Sequence, residues 1–139
     1  MSVDLPSGAV IEYPYLGRWQ HARGETEGRK ARPVCVAISV RGQDGFTHLV
    51  LLAISSRLPA ADQTALEVPE IECRRGGLSE WKRAWVTVSE YNYDIAERSY
   101  YLDVNQPPLG RFSRPFMMRL ATAFAPLFQQ RRARVDRSE

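Results

Sequence analysis

The residues best suited to chemistry stand together at Gly28-Arg29-Lys30-Ala31-Arg32-Pro33-Val34-Cys35-Val36-Ala37-Ile38. A polar loop carrying Arg29 and Lys30 ends in an arginine set against a proline, and a run rich in β-branched residues follows. Pro33 disfavours the helical region for Arg32 and holds it extended, at the mouth of a strand. A guanidinium stays charged at any working pH, and its planar fork matches the oxygens of a phosphate. A lone Arg-Pro pair is ordinarily just a surface arginine at a strand start; the rest of the chain changes that reading. Trp19 lies in the same loop with Arg18, His21 and Arg23. An aromatic among cations suits single-stranded nucleic acid, although a loop folded over the body hides a tryptophan equally well.

Strands must position these groups. Residues 8–15 read as a first strand, with Val10, Ile11, Tyr13 and Tyr15 as β-formers and Pro14 marking an edge or bend. Residues 16–31 form a long polar loop, a length that is usually functional or mobile. Residues 33–40 and 46–55 are strands two and three, joined through the turn cluster Arg41-Gly42-Gln43-Asp44-Gly45 as a hairpin. The third is apolar almost throughout and therefore central. A loop over 56–63 carries Ser56, Arg57 and Pro59. A short strand over 64–68, a helical turn over 70–77 and a strand over 85–90, continued past a bend at 92–96, come next. Residues 99–104 read as a weak strand. Ser113 caps a last helix with Pro115 in its first turn, and Phe116, Met117, Leu120, Phe124 and Leu127 line one face. Pro126 is expected to kink or end that helix early. The pattern predicts a mainly β, α+β fold: a small, strongly bent barrel closed by a C-terminal helix.

The 139 residues make one domain, with the folded body over 8–130 and a basic tail over 131–139. Net charge is +3, of which the tail's four arginines and two acids supply +2, leaving the body near neutral. Contact with nucleic acid must then come from a local patch. Arginine outnumbers lysine 17 to 2, a bias that suits phosphate but that genomic base composition explains more often. Residues 1–9 show no basic region followed by an apolar stretch, and the longest apolar run spans only 49–54, so a soluble cytoplasmic protein is expected. Two cysteines without a CxxC pair and two histidines offer no zinc site, and no cofactor is expected.

Four features occur in order: Gly8-Ala9-Val10-Ile11; the polar loop into Arg32-Pro33-Val34; Leu52-Ala53-Ile54-Ser55; and Trp85-Val86-Thr87-Val88-Ser89-Glu90, with Leu109-Gly110 before the final helix. Together they resemble the PemK/MazF family of toxin endoribonucleases, in a divergent branch with a longer first loop. The resemblance covers roughly residues 8–128. It implies an SH3-like barrel of the MazF/CcdB kind acting as a homodimer, cleaving single-stranded RNA without a metal, and restrained by a cognate antitoxin. The family's arginine falls on Arg32. Its threonine falls on Ser55, a departure that keeps the hydroxyl. Its loop glutamate falls on Glu25, with Glu27 competing because the loop is two residues longer.

In RNA cleavage of this type the 2′-hydroxyl attacks the adjacent phosphorus, and the transition state needs charge stabilisation, a base and an acid. Arg32 supplies the first, Ser55 bonds a phosphate oxygen, and Glu25 or Glu27 accepts the proton. Trp19, Arg29, Lys30, Ser56 and Arg57 are the candidate RNA contacts. His21 remains a lesser candidate for proton transfer, and His48, inside the third strand, reads as structural. Glu90, Asn92 and the tyrosines at 91, 93, 100 and 101 read first as sheet and turn residues. Two rivals stand beside the nuclease: a non-catalytic binder on the same barrel, as in CcdB-type gyrase poisons, and a family member that has lost activity. An arginine–hydroxyl pair favours the nuclease, since a protein-binding poison needs no phosphate clamp.

Overall fold

The computed structural model describes residues 5–17, 30–78, 80–130 and 133–138. Among these residues eight strands, two α-helices and one 3-10 turn follow in the order β1 (Ala9–Tyr13), β2 (Arg32–Arg41), β3 (Thr47–Ser55), β4 (Ala65–Glu67), α1 (Glu70–Arg75), β5 (Trp85–Thr87), β6 (Tyr91–Ile95), the 3-10 turn (Ala96–Arg98), β7 (Gly110–Arg111), α2 (Arg114–Phe128) and β8 (Arg134–Asp136). β3 is the spine. It pairs β2 along one edge, and along the other it pairs β5 near its end and β6 near its start. The chain bends between β5 and β6, so one strand carries two short partners in succession. The path β4-β5-β3-β2-β1-β7, with β6 and β8 branching from β3, does not close. Where a closed barrel is expected from the sequence, the terminal strands β4 and β7 hold three and two residues and leave the sheet open.

Alternation along the strands builds a core on each face. Cys35, Val50, Leu52 and Ile54 pack with Phe116, Leu120 and Phe124 of α2. Val34, Val36, Leu49 and Leu51 pack with Ile11, Tyr13 and Ala96 on the opposite face. Both thiols are free and buried, and burial pushes Cys35 up to about 12. In α2, Ser113 Oγ accepts from the Phe116 N–H at 3.3 Å, as a cap should. The same hydroxyl donates to Glu72 of α1 at 2.6 Å, and the Ser113 N–H donates to that carboxylate at 2.8 Å. The first helix thereby fixes where the last one starts.

Three expectations are corrected. Residues 99–104 form no strand. Ser99 Oγ donates to Asp94 and accepts from the N–H groups of Tyr101 and Leu102, and this local hub turns the chain away from a ladder. Pro126 does not end α2, which runs to Phe128. The last turn is held by Phe124 and Phe128, whose rings meet Tyr91 at 5.6 and 5.1 Å. Residues 133–138, read as part of a basic tail outside the folded body, belong to it. β8 lies parallel on β6, Ala133 and Val135 are fully covered, and the Arg137 side chain is 4% exposed with its guanidinium 3.8 Å over the Tyr101 ring. Among the described residues no helix is long and apolar enough to cross a membrane.

The segment after α1 crosses the segment before β7 at backbone distance. A Cβ on Gly77 would lie 2.2 Å from the Leu109 carbonyl oxygen, and one on Gly110 would lie 2.3 Å from that of Arg75. Gly77 also has φ +78°, where a side chain is strained. Gly77→Ala is therefore expected to destabilise the protein by about 2–3 kcal/mol. Urea denaturation checks this, and an unchanged midpoint would mean that the crossing yields without cost.

Candidate functional site

The site grows from the β2–β3 ladder. Near the turn the partners are Arg41 with Thr47, Val40 with His48, Ser39 with Leu49 and Ile38 with Val50. A bulge between Val36 and Ile38 shifts the register by one, and the pairs become Val36 with Leu51, Cys35 with Leu52 and Val34 with Ala53. Continued two residues, this register sets Arg32, the first residue of β2, across from Ser55, the last of β3. Paired residues share a face of the sheet, so both side chains project the same way.

At this end of the sheet a cleft of about 560 Å³ is lined by Lys30, Arg32, Ser55, Ser56 and Arg57, by Glu12 and Pro33, and by Leu78, Trp81 and Leu109. A second cavity of about 150 Å³ opens on the other side, lined by Tyr15, Ala53, Gln63, Trp85, Thr87 and Glu90. Arg32, Ser55 and Arg57 line both. They form a ridge between two hollows.

Among the described residues the larger cleft is lined by three cations, Lys30, Arg32 and Arg57, and one anion, Glu12. That local excess is what a nearly neutral body needs to attract a polyanion. Ser55 Oγ accepts from the Arg57 N–H at 3.0 Å. A hydroxyl has one donor and two acceptor positions, so this bond leaves its hydrogen for a further oxygen. The bond also holds the start of the Arg57 loop against the strand.

Of the residues singled out from the sequence, the structure brings Arg32, Ser55, Ser56, Arg57 and Lys30 to one cleft. Trp19, His21, Glu25, Glu27 and Arg29 lie outside the described residues. His48 is at the turn end of β3, away from Ser55. Its Nδ1 meets the Tyr93 hydroxyl and its Nε2 meets Asp44 at 3.0 Å, a structural setting. The Phe46 N–H and His48 hold Asp44 below the usual carboxylate range. Tyr91 and Asn92 are buried, and Asn92 exchanges two hydrogen bonds with the backbone of Leu16. Among the described residues, no group of three or more His, Cys, Asp or Glu side chains is placed to hold a metal ion.

Sequence reasoning missed Glu12 and Trp81. Glu12 interrupts the β-formers of the first strand and carries no other local signal. Its alternation with Val10 does put it on the α1 side of the sheet, but the cleft beside it depends on a distant segment. Trp81 follows Gly76-Gly77 in a polar stretch with no periodicity, so nothing local marked it. No family model, curated protein or solved structure matches the chain.

Removing the Ser55 hydroxyl leaves the Arg57 N–H without its partner. Ser55→Ala is expected to lower stability by about 1 kcal/mol, while Ser55→Thr keeps the bond and the stability. Thermal unfolding of both variants decides it; equal losses would show that the bond contributes nothing.

Proposed function

We propose that this protein is a metal-independent endoribonuclease of the growth-inhibiting toxin type, acting on single-stranded RNA as a homodimer and restrained by a cognate antitoxin. The observation that carries the reading is the ridge: Arg32 and Ser55 end paired strands and line both the cation-rimmed cleft and the cavity behind it. The ordered resemblance to PemK/MazF toxins supports it from the sequence, with an SH3-like barrel as the frame that the bent, open sheet would represent.

In this mechanism a phosphodiester sits on the ridge. The 2′-oxygen attacks phosphorus and gives up its proton as the bond to phosphorus forms. The bond to the 5′-oxygen breaks, and that oxygen takes a proton, leaving a 2′,3′-cyclic phosphate and a 5′-hydroxyl. Negative charge accumulates on the non-bridging oxygens at the transition state. Arg32 meets it with a charge-assisted fork, Ser55 adds a hydrogen bond, and Lys30 and Arg57 hold the flanking phosphates. Glu25 or Glu27 takes the proton in this scheme.

The test is incubation of purified protein with single-stranded RNAs in EDTA, with mapping of the product ends. Wild-type protein is expected to cleave. Arg32→Ala is expected to lose about a hundred- to a thousandfold in rate, the scale of one electrostatic donor, with its fold intact by circular dichroism. Arg32→Lys should recover little, because an ammonium lacks the fork. Ser55→Ala should cost less, and Ser55→Thr should be tolerated. Intact RNA across varied sequences would remove the nuclease reading in favour of a binding protein of the gyrase-poison kind, and full activity in Arg32→Ala would remove Arg32 from the mechanism.

A further inference from the structure

We infer that the larger lobe of the cleft is a nucleobase pocket selective for guanine, with Trp81 as its stacking wall and Glu12 as the group that reads the base. The inference rests on the ridge of Arg32 and Ser55 binding RNA, and it goes beyond that reading in naming a base and the residues that choose it.

Size selects the lobe. Ligand pockets generally enclose about 300–1,000 Å³, so the cleft of about 560 Å³ is large enough for a purine nucleoside, while the cavity of about 150 Å³ behind the ridge is below that range. The composition of the larger lobe is also right. Leu78, Trp81 and Leu109 give it an apolar wall beside the cationic ridge. Single-stranded nucleic acid is bound by this combination, with aromatic side chains stacking on bases and cations tracking the backbone. Trp81 is half-buried, with part of its ring packed against the core and part lining the cleft. Its backbone N–H donates to the Leu78 carbonyl at 2.9 Å, which holds the residue in a turn.

Glu12 is placed to read the base and not to act at phosphorus. Tyr13 pairs with Arg32, whereas Glu12 pairs with Pro33. Paired residues share a face and neighbours alternate, so Glu12 projects from the face opposite Arg32, into the lobe with Trp81. Among the described residues it is the single acidic side chain lining that lobe. An ionised carboxylate has acceptors and no donors. Guanine is the base whose Watson–Crick edge offers two adjacent donors, N1–H and the N2 amine, and so can meet both oxygens. Adenine, cytosine and uracil each set an acceptor beside their donor on that edge, which would face a carboxylate oxygen without a proton between them.

The experiment uses short 2′-O-methyl oligouridines, which cannot be cleaved by attack of the 2′-oxygen, carrying one guanine, adenine or inosine. Binding is measured by fluorescence anisotropy. Wild-type protein is expected to favour guanine over adenine by about tenfold, within the range for one bidentate contact, with inosine between them because it lacks the N2 amine. Glu12→Gln should abolish the guanine preference while still binding the oligomer. Trp81→Ala should weaken binding to all three by about tenfold, and Trp81→Phe, which keeps a stacking face and the packing, should restore most of it. An undiminished guanine preference in Glu12→Gln, or wild-type binding by Trp81→Ala, overturns the pocket. Cleavage of unmodified RNA, followed in parallel, separates the two claims. Guanine-selective binding without cleavage keeps the pocket and removes the nuclease. Cleavage indifferent to guanine keeps the nuclease and removes the pocket. Neither binding nor cleavage removes both.

Discussion

The site depends on the register of β2 against β3. The tight turn at Gly42–Gly45 closes with the Gly42 N–H on the Phe46 carbonyl and sets the pairing for the first half of the hairpin. Carried unchanged to the far end, that pairing would set Arg32 across from Ser56 and Pro33 across from Ser55. The bulge between Val36 and Ile38 removes the offset. It inserts one residue, lets both cores keep their alternation, and delivers the guanidinium and the hydroxyl to one ridge. A one-residue slip in a ladder moves every side chain to the other face. Here it would turn Val34 and Val36 out of the core with Ile11 and Tyr13 toward α2, and Cys35 the other way, so the two hydrophobic cores enforce the register that the site needs.

A second constraint shapes the space in front of the ridge. Gly76-Gly77 and Leu109-Gly110 cross at distances that leave no room for a side chain. Glu72 ties the same region to Ser113 at the start of α2. Leu78, Trp81 and Leu109 follow from this crossing, and they are the wall of the larger lobe. The helix packing on the core and the shape of the cleft are therefore one problem: a change that opens the glycine crossing moves the cleft wall and the cap of α2 together.

Much of this was legible from residue types. The β2–β3 hairpin, the central third strand, the turn at Gly76-Gly77 and the Ser113 cap each have a local signal, and local signals act over a few residues. Arg32 and Ser55 were legible as the ends of two strands, which the hairpin must bring near each other. Elements decided by tertiary contacts were not. Ser99 turns the chain because Asp94 and two backbone N–H groups surround it. Pro126 stays helical because Phe128 has Tyr91 to pack on. β8 exists because β6 offers a free edge, and only the alternation of Ala133, Val135 and Arg137 hinted at it under four arginines. Trp81 and Glu12 belong to this second kind, since the cleft that they line is made by segments far apart in the chain.

The ridge favours fixed charge over proton traffic. Lys30, Arg32 and Arg57 bring donors to the cleft, and Ser55 is already engaged with the Arg57 backbone. The histidine on β3 is engaged by Tyr93 and Asp44 at the other end of the strand. On the proposed reading, stabilising a phosphorane-like transition state is the task to which the described residues are suited, because preorganised donors act without rearranging as the charge develops. An arginine at a strand end, backed by proline and set by a bulged ladder, loses little freedom on engaging a phosphate. On the same reading the position calls for a fork on a stiff strand and not for a lysine on a loop: the same charge on a mobile stem would bind the ground state and the transition state alike, and so would bind RNA without hastening its cleavage.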